Sequence, residues 1–526
     1  MGFLSRAQGM GMAAVILAAG TLVSRFMGLI RDKVISWQFG AGNEADMYFA
    51  AFVVPDIINY LLAGGFMSIT LIPLLSRRLA EDEADGWRFY SGVLTWMAMA
   101  AALLTGLGIA FASPLAHLAA PGLSPEKYER LAFFMRLVLP AQFFFLVGSC
   151  LMSLLYYRRQ FAVPALSPLV YNGSIILFGL LVPALGLGQG MTGYCVGVTV
   201  GACVGTFLIP LAVARQGGLP FAARLRHPLL KTFLLLALPL MLGQTIAALD
   251  EQFLRVFGSL AGDGVVSLLN YAKRVTQVPV ALVGQAAALA SYPFLVALLT
   301  RGDRQGFMDT LSQALRSGMG LMVPIVLWMM FLAQSTFTLL FYGGRMSEAD
   351  MLAAVPLLRL LLAAGPAWFI YALLVRGFYA QADTLTPAVT GTILTVIFLP
   401  IYYFLGVPLG ATGIACVSAA SMACYVAALM GIWARREGTG AFRGLAVTAL
   451  RAGLCALPGC LIGWWADSFV TAHLAVNPIA RSLAGLAVAG VIFLVTFLPL
   501  SARFCPGAMD PLLKPILRRL GRGKSA

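Results

Sequence analysis

The chain has 526 residues, of which 60% are hydrophobic and 11% are charged, and its mean hydropathy is +0.88. Because a soluble globular protein has about 25% charged residues, this composition excludes a water-covered globular fold and indicates an integral membrane protein. The formal net charge of +15 is spread over short segments between apolar stretches, which argues against a basic surface for nucleic acid.

Apolar stretches of about 20 residues, the length that a helix needs to cross a bilayer, recur along the whole chain. We predict fourteen spans, centred near residues 20, 62, 101, 144, 174, 203, 242, 284, 324, 366, 396, 421, 454 and 490. The ten-residue alternating strands of an outer-membrane barrel are missing. The sequence therefore predicts an all-α polytopic membrane protein, whose first apolar run is a helix and not a signal peptide because no small-residue cleavage site follows it.

Most Lys and Arg side chains fall in segments on one side of this topology, the side that also holds both termini. This asymmetry is typical of an inner-membrane protein with both ends in the cytoplasm. The basic tail, "KPILRRLGRGK", is expected to lie on anionic lipid headgroups.

Residues for catalysis or metal binding do not form a recognisable pattern. The eight cysteines include no CxxC pair, and the three histidines are far apart in sequence. There is neither a glycine-rich phosphate loop nor a pair of carboxylates suited to hydrolysis. We therefore expect no enzyme activity, no metal and no cofactor.

The first span ends in "SRFMGLIRD", which places Arg25, Arg31 and Asp32 in or near the membrane. Such residues cost about 2.5–3.5 kcal/mol at a helix centre on insertion scales, so each is paired, near an interface or facing water. Arg25 and Asp32 share a helix face with Gly28 between them, which leaves room for a group to approach the backbone, and Arg31 points about 120° away from Arg25. Asp32 is either a partner for Arg25 or a structural cap. Two interpretations are open for Arg31, Asp32 and Lys33: a charged helix end at the interface, or part of a polar cavity.

Span seven ends in "ALDEQFLR", where Glu251 and Arg255 are four residues apart and can pair on one helix face. Asp250 lies on the neighbouring face, where the sequence places no charged residue one helical turn away. It is therefore a candidate for coupling transport to an ion, as is Asp32.

Span eight begins "NYAKRVTQVP", in which Asn270, Arg274 and Gln277 form a polar stripe with Lys273 beside it. A stripe of amide and guanidinium groups in an apolar helix predicts a wet cavity. Arg25, Arg31, Lys273 and Arg274 are all donors without acceptor capacity, and guanidiniums bind phosphate through paired hydrogen bonds. These residues favour an anionic headgroup as the ligand.

An internal duplication organises the chain. Arg136 and Pro164 are 28 residues apart, as are Arg359 and Pro387, and two further motif pairs recur at nearly the same offset of about 220 residues. An offset of six spans gives two parallel halves, which is the frame of many alternating-access transporters. We predict a six-helix lobe at 1–218, a second at 219–438, two extra spans at 439–505 and a basic cytoplasmic tail at 506–526.

The motifs "SRFMGLIRD", "FGAGNEADMYFAAFVVP", "NYAKRVTQVP" and "GFYAQADTLTP" resemble the MurJ/MviN family, the lipid II flippases of the multidrug/oligosaccharidyl-lipid/polysaccharide exporter superfamily. The resemblance implies that undecaprenyl-diphosphate-linked disaccharide pentapeptide is flipped to the outer leaflet for cell wall biosynthesis. It also implies that Arg25, Arg31 and Arg274 meet the diphosphate and that Asp46 is an essential acid. The last two spans resemble the family's groove for the polyprenyl tail.

Three positions of the predicted cavity depart from the family pattern. Asn59 stands where many relatives have an arginine on helix two, Gln277 replaces a glutamate, and Lys273 replaces an acid. Together with Asn270, these three residues are candidates for binding the substrate. The cavity keeps its cationic character, while an Arg–Glu pair of the family is missing.

The energy source is open at the level of sequence. Some relatives bind sodium with an acid on helix seven and polar groups on helix eleven. Asp250 provides the first, but "AVTGTILTVIFLPIYYFL" provides no Asn, Asp, Glu or Gln, which argues against sodium and leaves membrane potential or protons. We expect a monomer that contacts membrane lipids and no nucleic acid.

Other functions compete with lipid II flipping. A flippase for another polyprenyl-diphosphate-linked saccharide, such as an O-antigen or exopolysaccharide unit, would use the same arginines. A cation-coupled drug exporter should have an acid-dominated cavity instead. A non-transporting scaffold would have no reason to carry charged residues in its spans.

Overall fold

A computed structural model of the protein describes residues 8–63, 70–242 and 246–505. Throughout these ranges the regular elements are helices, which confirms the predicted all-α fold. The chain forms two compact units, Met1–Ser267 and Leu268–Ala526. The predicted basic tail at 506–526 lies outside the described residues, and the finer division into four parts stays a prediction.

The first unit begins with a 30-residue helix and continues with helices of 8 to 28 residues. Its α-helices are α1 (Met10–Phe39), α2 (Asn43–Ala50), α3 (Val53–Ala63), α4 (Ile72–Glu81), α5 (Glu83–Ala110), α6 (Ala112–Ala119), α7 (Pro125–Val138), α8 (Pro140–Tyr157), α9 (Ala162–Ala184), α10 (Thr192–Gly201), α11 (Ile209–Gln216), α12 (Pro228–Leu242) and α13 (Ile246–Leu260). A π-helical segment, Ala202–Leu208, joins α10 to α11. α1 packs against α9, and α9 packs against α10.

The boundary between the units falls inside α14 (Val265–Pro279). The helices that follow are α15 (Ala286–Thr300), α16 (Arg304–Phe331), α17 (Ala333–Phe341), α18 (Glu348–Ala363), α19 (Gly365–Ala380), α20 (Leu385–Ile401), α21 (Gly410–Glu437), α22 (Leu445–His473) and α23 (Pro478–Phe504). The last two helices pack against each other, and α22 also packs against α16.

Nine helical stretches of the described chain are long and apolar enough to cross a membrane. One of them, Leu385–Glu437, covers both the eleventh and the twelfth predicted spans. The predicted spans near residues 20, 62, 242 and 284 are not among the nine. The protein is therefore a multi-pass membrane protein, and the count of fourteen spans stays a prediction.

The helix order of the first unit recurs in the second. α5 and α16 both have 28 residues, and each begins after an aspartate whose carboxylate accepts a hydrogen bond from a backbone N–H three residues later. These caps, Asp82 and Asp303, satisfy one of the amide groups that a helix leaves unpaired at its start. They are 221 residues apart, so the duplication seen in the sequence extends to the way its helices begin.

Candidate functional site

Arg31 on α1 is held in place by two oxygen acceptors. Its Nε and Nη2 donate to Oδ1 of Asp32 at 2.9 and 2.8 Å, and its Nη1 donates to Oδ1 of Asn172 on α9 at 3.1 Å. The amide nitrogen of Asn172 donates in turn to the carbonyl of Pro168, which fixes the orientation of the amide. The side chain of Asp32 is 2% exposed and that of Arg31 is 12% exposed, so this is a buried polar cluster and not a solvated one.

The position of this cluster bears on the two interpretations of the opening motif. α1 continues to Phe39, two turns beyond Arg31, so Arg31 and Asp32 lie inside the helix and do not form its end. Asp32 therefore does not cap the helix; it is the acceptor for Arg31. Arg25, which precedes Arg31 by six residues on α1, is half-buried.

Two glycines of α1 differ in their surroundings. A Cβ built on Gly20 would lie 2.7 Å from the Cβ of Ala165, so glycine permits the close contact between α1 and α9. A Cβ built on Gly28 would meet nothing within 4 Å. The face of α1 that carries Gly28 therefore has open space beside Arg25 and Arg31, as the sequence predicted.

Asp46 is 2% exposed and caps the start of another helix. Its two carboxylate oxygens accept hydrogen bonds from the backbone N–H groups of Gly264 and Ser267, at the beginning of α14. A negative charge at a helix N-terminus is also favoured by the helix dipole. This contact is a structural role that the sequence did not reveal, because the partners are more than 200 residues apart.

Arg255 on α13 forms an ion-pair network that sequence reasoning predicted only in part. Its contact with Glu251, at 3.4 Å, is the expected local pair. A shorter contact of 2.7 Å joins its Nη1 to Oδ2 of Asp56 on α3, and the same nitrogen donates to Gln252 at 2.8 Å. Because Asp56 precedes Asn59 by three residues, the network brings a guanidinium close to the helix in which Asn59 replaces an arginine.

The predicted stripe of the second unit lies on α14, as expected. Asn270, Arg274 and Gln277 are half-buried, whereas Lys273 is 6% exposed. The Lys273 ammonium lies 4.7 Å from the ring centroid of Trp368 on α19, a cation–π contact. The amide and guanidinium groups of the stripe therefore form the more accessible side of the helix.

The described residues thus bring some of the predicted site residues together within each unit. Arg31 contacts Asp32, Asp46 contacts the start of α14, and the four residues of the stripe share one helix. Asp250 is buried on α13 next to the Arg255 network. No group of three His, Cys, Asp or Glu side chains among the described residues is placed to hold a metal ion. The assignment of these residues to a substrate stays a prediction.

A family model described as "Lipid II flippase MurJ" matches residues 35–485, which is most of the chain. The protein belongs to the lipid II flippase MurJ family. It is therefore a member of a family of membrane transporters. The matched region includes Asp46, Asn59 and the whole of α14, while Arg25 and Arg31 precede it.

Curated relatives agree with this membership. The chain is 27% identical over 437 residues to the lipid II flippase MurJ of Burkholderia cenocepacia, covering 81% of this chain and 84% of that protein. It is 23% identical over 479 residues to the probable lipid II flippase MurJ of Treponema pallidum, covering 88% and 89%.

Solved structures show the same fold. A structure described as lipid II flippase MurJ in an inward closed conformation aligns with a TM-score of 0.75 at 20% identity, covering 93% of this chain and 99% of that one. An inward-facing multidrug resistance MATE family transporter of the MOP superfamily aligns with a TM-score of 0.61 at 16% identity, covering 84% and 98%. The MurJ-family chain thus shares its architecture with both kinds of transporter.

Proposed function

We propose that this chain flips lipid II, the polyprenyl-diphosphate-linked peptidoglycan precursor, from the inner to the outer leaflet by alternating access. The observation that carries the proposal is the family match over residues 35–485. The donor side chains of α1 and α14 support it, since a diphosphate is the most strongly charged part of such a substrate.

Arg31 is suited to this task by its hydrogen bonds. A guanidinium has five N–H donors, and three of those on Arg31 are used by Asp32 and Asn172. The two that remain are held in a fixed direction, so binding a phosphate oxygen costs little side-chain entropy. Gly28, with open space beside it, gives the phosphate room to approach this side of α1.

Several further properties belong to the same proposal. The protein lies in the inner membrane with both termini in the cytoplasm and acts as a monomer without a cofactor and without catalysis. Membrane potential or protons drive the cycle, with Asp250 and Asp32 as candidate coupling residues. The positive-inside pattern of Lys and Arg supports the orientation.

Genetic rescue tests the proposal most directly. Expression of this chain in a strain depleted of its own lipid II flippase should restore growth and normal cell shape. The Arg274→Ala variant should not restore growth, and Arg274→Lys should do so only in part because an ammonium lacks the bidentate fork. Arg301→Ala is the matched control, since Arg301 is exposed at the end of α15 and outside the predicted cavity.

The outcomes separate this function from its nearest alternative. Failure of the wild-type chain to rescue, at normal membrane levels and with a normal unfolding temperature, would contradict lipid II as the substrate. Rescue of a strain lacking an O-antigen or exopolysaccharide flippase would then identify the other polyprenyl-linked saccharide. Full rescue by Arg274→Ala would contradict the role of the arginine in diphosphate binding.

A further inference from the structure

An apolar groove with a basic rim lies within the first unit, between α5 and the start of α12. Its volume is about 770 Å³, and apolar side chains that include Trp96, Leu225 and Leu234 form its walls. The described residues that line it include two exposed cations, Arg226 and Lys231, and no carboxylate. None of the residues predicted to bind the transported lipid borders the groove, which therefore needs an explanation separate from lipid II transport.

The chain that leads into α12 is attached along α5 by hydrogen bonds. The backbone N–H of Arg224 donates to the Thr95 hydroxyl at 3.2 Å, and Nε1 of Trp96 donates to the carbonyl of Leu225 at 3.0 Å. The second bond orients an indole ring that is 49% exposed. One wall of the groove is therefore fixed by the fold.

His227 fixes the start of α12. Its Nδ1 accepts a hydrogen bond of 3.2 Å from the backbone N–H two residues later, so the neutral ring carries its proton on Nε2 and donates to Oδ2 of Asp85, 3.3 Å away. Nε of Arg78 also donates to this oxygen, at 2.6 Å. Asp85 is thus engaged by two other donors, and no ion pair joins Arg226 or Lys231 to a described carboxylate. Both cations of the rim can therefore bind a ligand.

The groove lies near one end of the apolar part of α5. This helix belongs to a stretch long and apolar enough to cross a membrane, and it carries no charged residue from Phe89 to Ala110. At 1.5 Å per residue this part is about 33 Å long, close to the thickness of a hydrocarbon core. The groove follows α5 from Val93 to Ala100, in the first half of that length. Its apolar walls therefore face acyl chains.

The cations lie where those chains meet the headgroups. Arg226 stands between Leu225, which contacts Trp96, and His227, whose ring lies 5.4 Å from that of Phe89. Tryptophan is enriched at this boundary, and basic side chains there attract anionic lipids. A ligand with an anionic head and an acyl chain matches the whole lining.

Other ligands match only part of it. Phosphatidylethanolamine carries an ammonium that two neighbouring cations repel, whereas phosphatidylglycerol carries a phosphodiester and uncharged hydroxyls. An acidic peptide has the charge but would place backbone polar groups against apolar walls, where they lack hydrogen-bond partners. The lining therefore favours an anionic lipid over both.

We propose that this groove binds an anionic glycerophospholipid, with phosphatidylglycerol as the simplest case. One acyl chain lies in the groove against Trp96, Leu225 and Leu234, and Arg226 and Lys231 bind the phosphate. The bound lipid links α5 to the chain that leads from the first predicted lobe into the second. It is a resident lipid and not the transported one.

Site-specific photo-crosslinking of the full-length protein tests the proposal. The photoreactive residue p-benzoylphenylalanine replaces either Leu234, which lines the groove, or Leu235, which is exposed on the same helix outside the groove. Each protein is placed in nanodiscs with equal amounts of phosphatidylglycerol and phosphatidylethanolamine of identical chains, and the crosslinked lipids are identified by mass spectrometry. We expect the ratio of phosphatidylglycerol to phosphatidylethanolamine to be about tenfold higher at position 234 than at position 235, since each cation contributes up to about fivefold in affinity.

Substitutions combined with the probe at position 234 separate charge from shape. Arg226→Gln and Lys231→Gln should each lower the ratio about three- to fivefold, and together they should bring it to the ratio found at position 235. Arg215→Gln, exposed at the end of α11 and outside the groove, is the matched control and should keep the ratio. Ala100→Phe retains both cations but fills the groove, so it should reduce crosslinking of both lipids.

Three results would overturn the proposal. They are a ratio at position 234 no higher than at position 235, a ratio that survives replacement of both cations, and a crosslink to another protein in place of lipid. The exposed positions of Arg226 and Lys231 allow both substitutions without loss of folding, which an unchanged Tm verifies. Growth rescue does not enter these measurements, so they are independent of the transported substrate.

Discussion

Arg159 and Ala382 both adopt a left-handed backbone conformation, with φ of 58° and 60°, and they are 223 residues apart. They are the non-glycine residues with positive φ in the described chain. Each precedes the next helix, α9 or α20, by three residues. The offset equals that between Arg136 and Arg359, so the duplication is preserved in an energetically unfavourable turn as well as in the sequence.

Replacing Ala382 by glycine should stabilise the protein slightly. A left-handed conformation costs a residue with a Cβ about 1–2 kcal/mol, while glycine loses about 0.5–1 kcal/mol more than alanine through backbone entropy. The net gain is expected to be about 0.5 kcal/mol, measured as a small rise of Tm in detergent. Ala423→Gly, at an exposed position inside α21, should lower Tm instead; a lower Tm for Ala382→Gly would contradict the assigned turn.

The pair of Arg255 and Asp56 should show strong coupling in a double-mutant cycle. Both side chains are largely withdrawn from solvent, with exposures of 6% and 25%, and removal of one partner leaves the other charge buried. We expect Arg255→Gln to cost about 2–4 kcal/mol of unfolding free energy. Asp56→Asn in the same background should add little. Additive effects of the two substitutions would show that the contact contributes no coupling.

Local pattern was enough to predict some features of this molecule. The polar stripe of Asn270, Arg274 and Gln277 depends only on helical spacing, and it lies on α14 as predicted. The Glu251–Arg255 pair and the open space at Gly28 are local in the same sense.

Other features depend on neighbours that are distant in sequence, and local pattern does not contain them. Asp56 meets Arg255 across 199 residues, Asn172 meets Arg31 across 141, and Ser335 meets Asp467 across 132. A charged residue in an apolar helix signals that a partner or water is required, but it does not say which residue is the partner. The cap that Asp46 makes on α14 was hidden for the same reason.

Gly20 and Gly28 on α1 should respond differently to substitution. Gly20→Ala brings a methyl group against Ala165 on α9, so it should lower Tm, with a cost of about 1–3 kcal/mol from overpacking. Gly28→Ala should leave the free energy of unfolding within about 0.5 kcal/mol of the wild type, since nothing lies within 4 Å of the added methyl group. Gly28→Phe should fold normally but fail to rescue the depleted strain, because the ring fills the space beside Arg31. Normal rescue by Gly28→Phe would place the substrate elsewhere.

Asp383 should make the stability of the second unit sensitive to acid. Burial acts to raise the pKa of Asp383, but hydrogen bonds from Thr386 and Arg436 outweigh it and hold the pKa below its ordinary value. The stabilisation is therefore complete above the ordinary aspartate pKa of about 4 and is lost as pH falls through the lower, folded-state value. The Tm difference between the wild type and Asp383→Asn should be constant from pH 8 to about pH 5 and shrink below about pH 4. In Arg436→Gln the folded-state pKa of Asp383 should lie closer to its ordinary value, so the Tm difference should be smaller at neutral pH and its loss should be complete at a higher pH. A difference that grows with acid would have the wrong sign.

Asp46 combines a cap seen in the structure with a substrate role implied by the family, and two substitutions separate them. Asp46→Ala removes both acceptors of the Gly264 and Ser267 amides and should cost about 2 kcal/mol of unfolding free energy. Asp46→Asn keeps one oxygen acceptor, so its Tm should fall less. Asp82→Ala removes only the cap of α5 and serves as the control, with full growth rescue expected. We expect Asp46→Asn to rescue poorly at a Tm close to that of Asp82→Ala, whereas rescue that follows Tm across the three variants would leave Asp46 with a structural role alone.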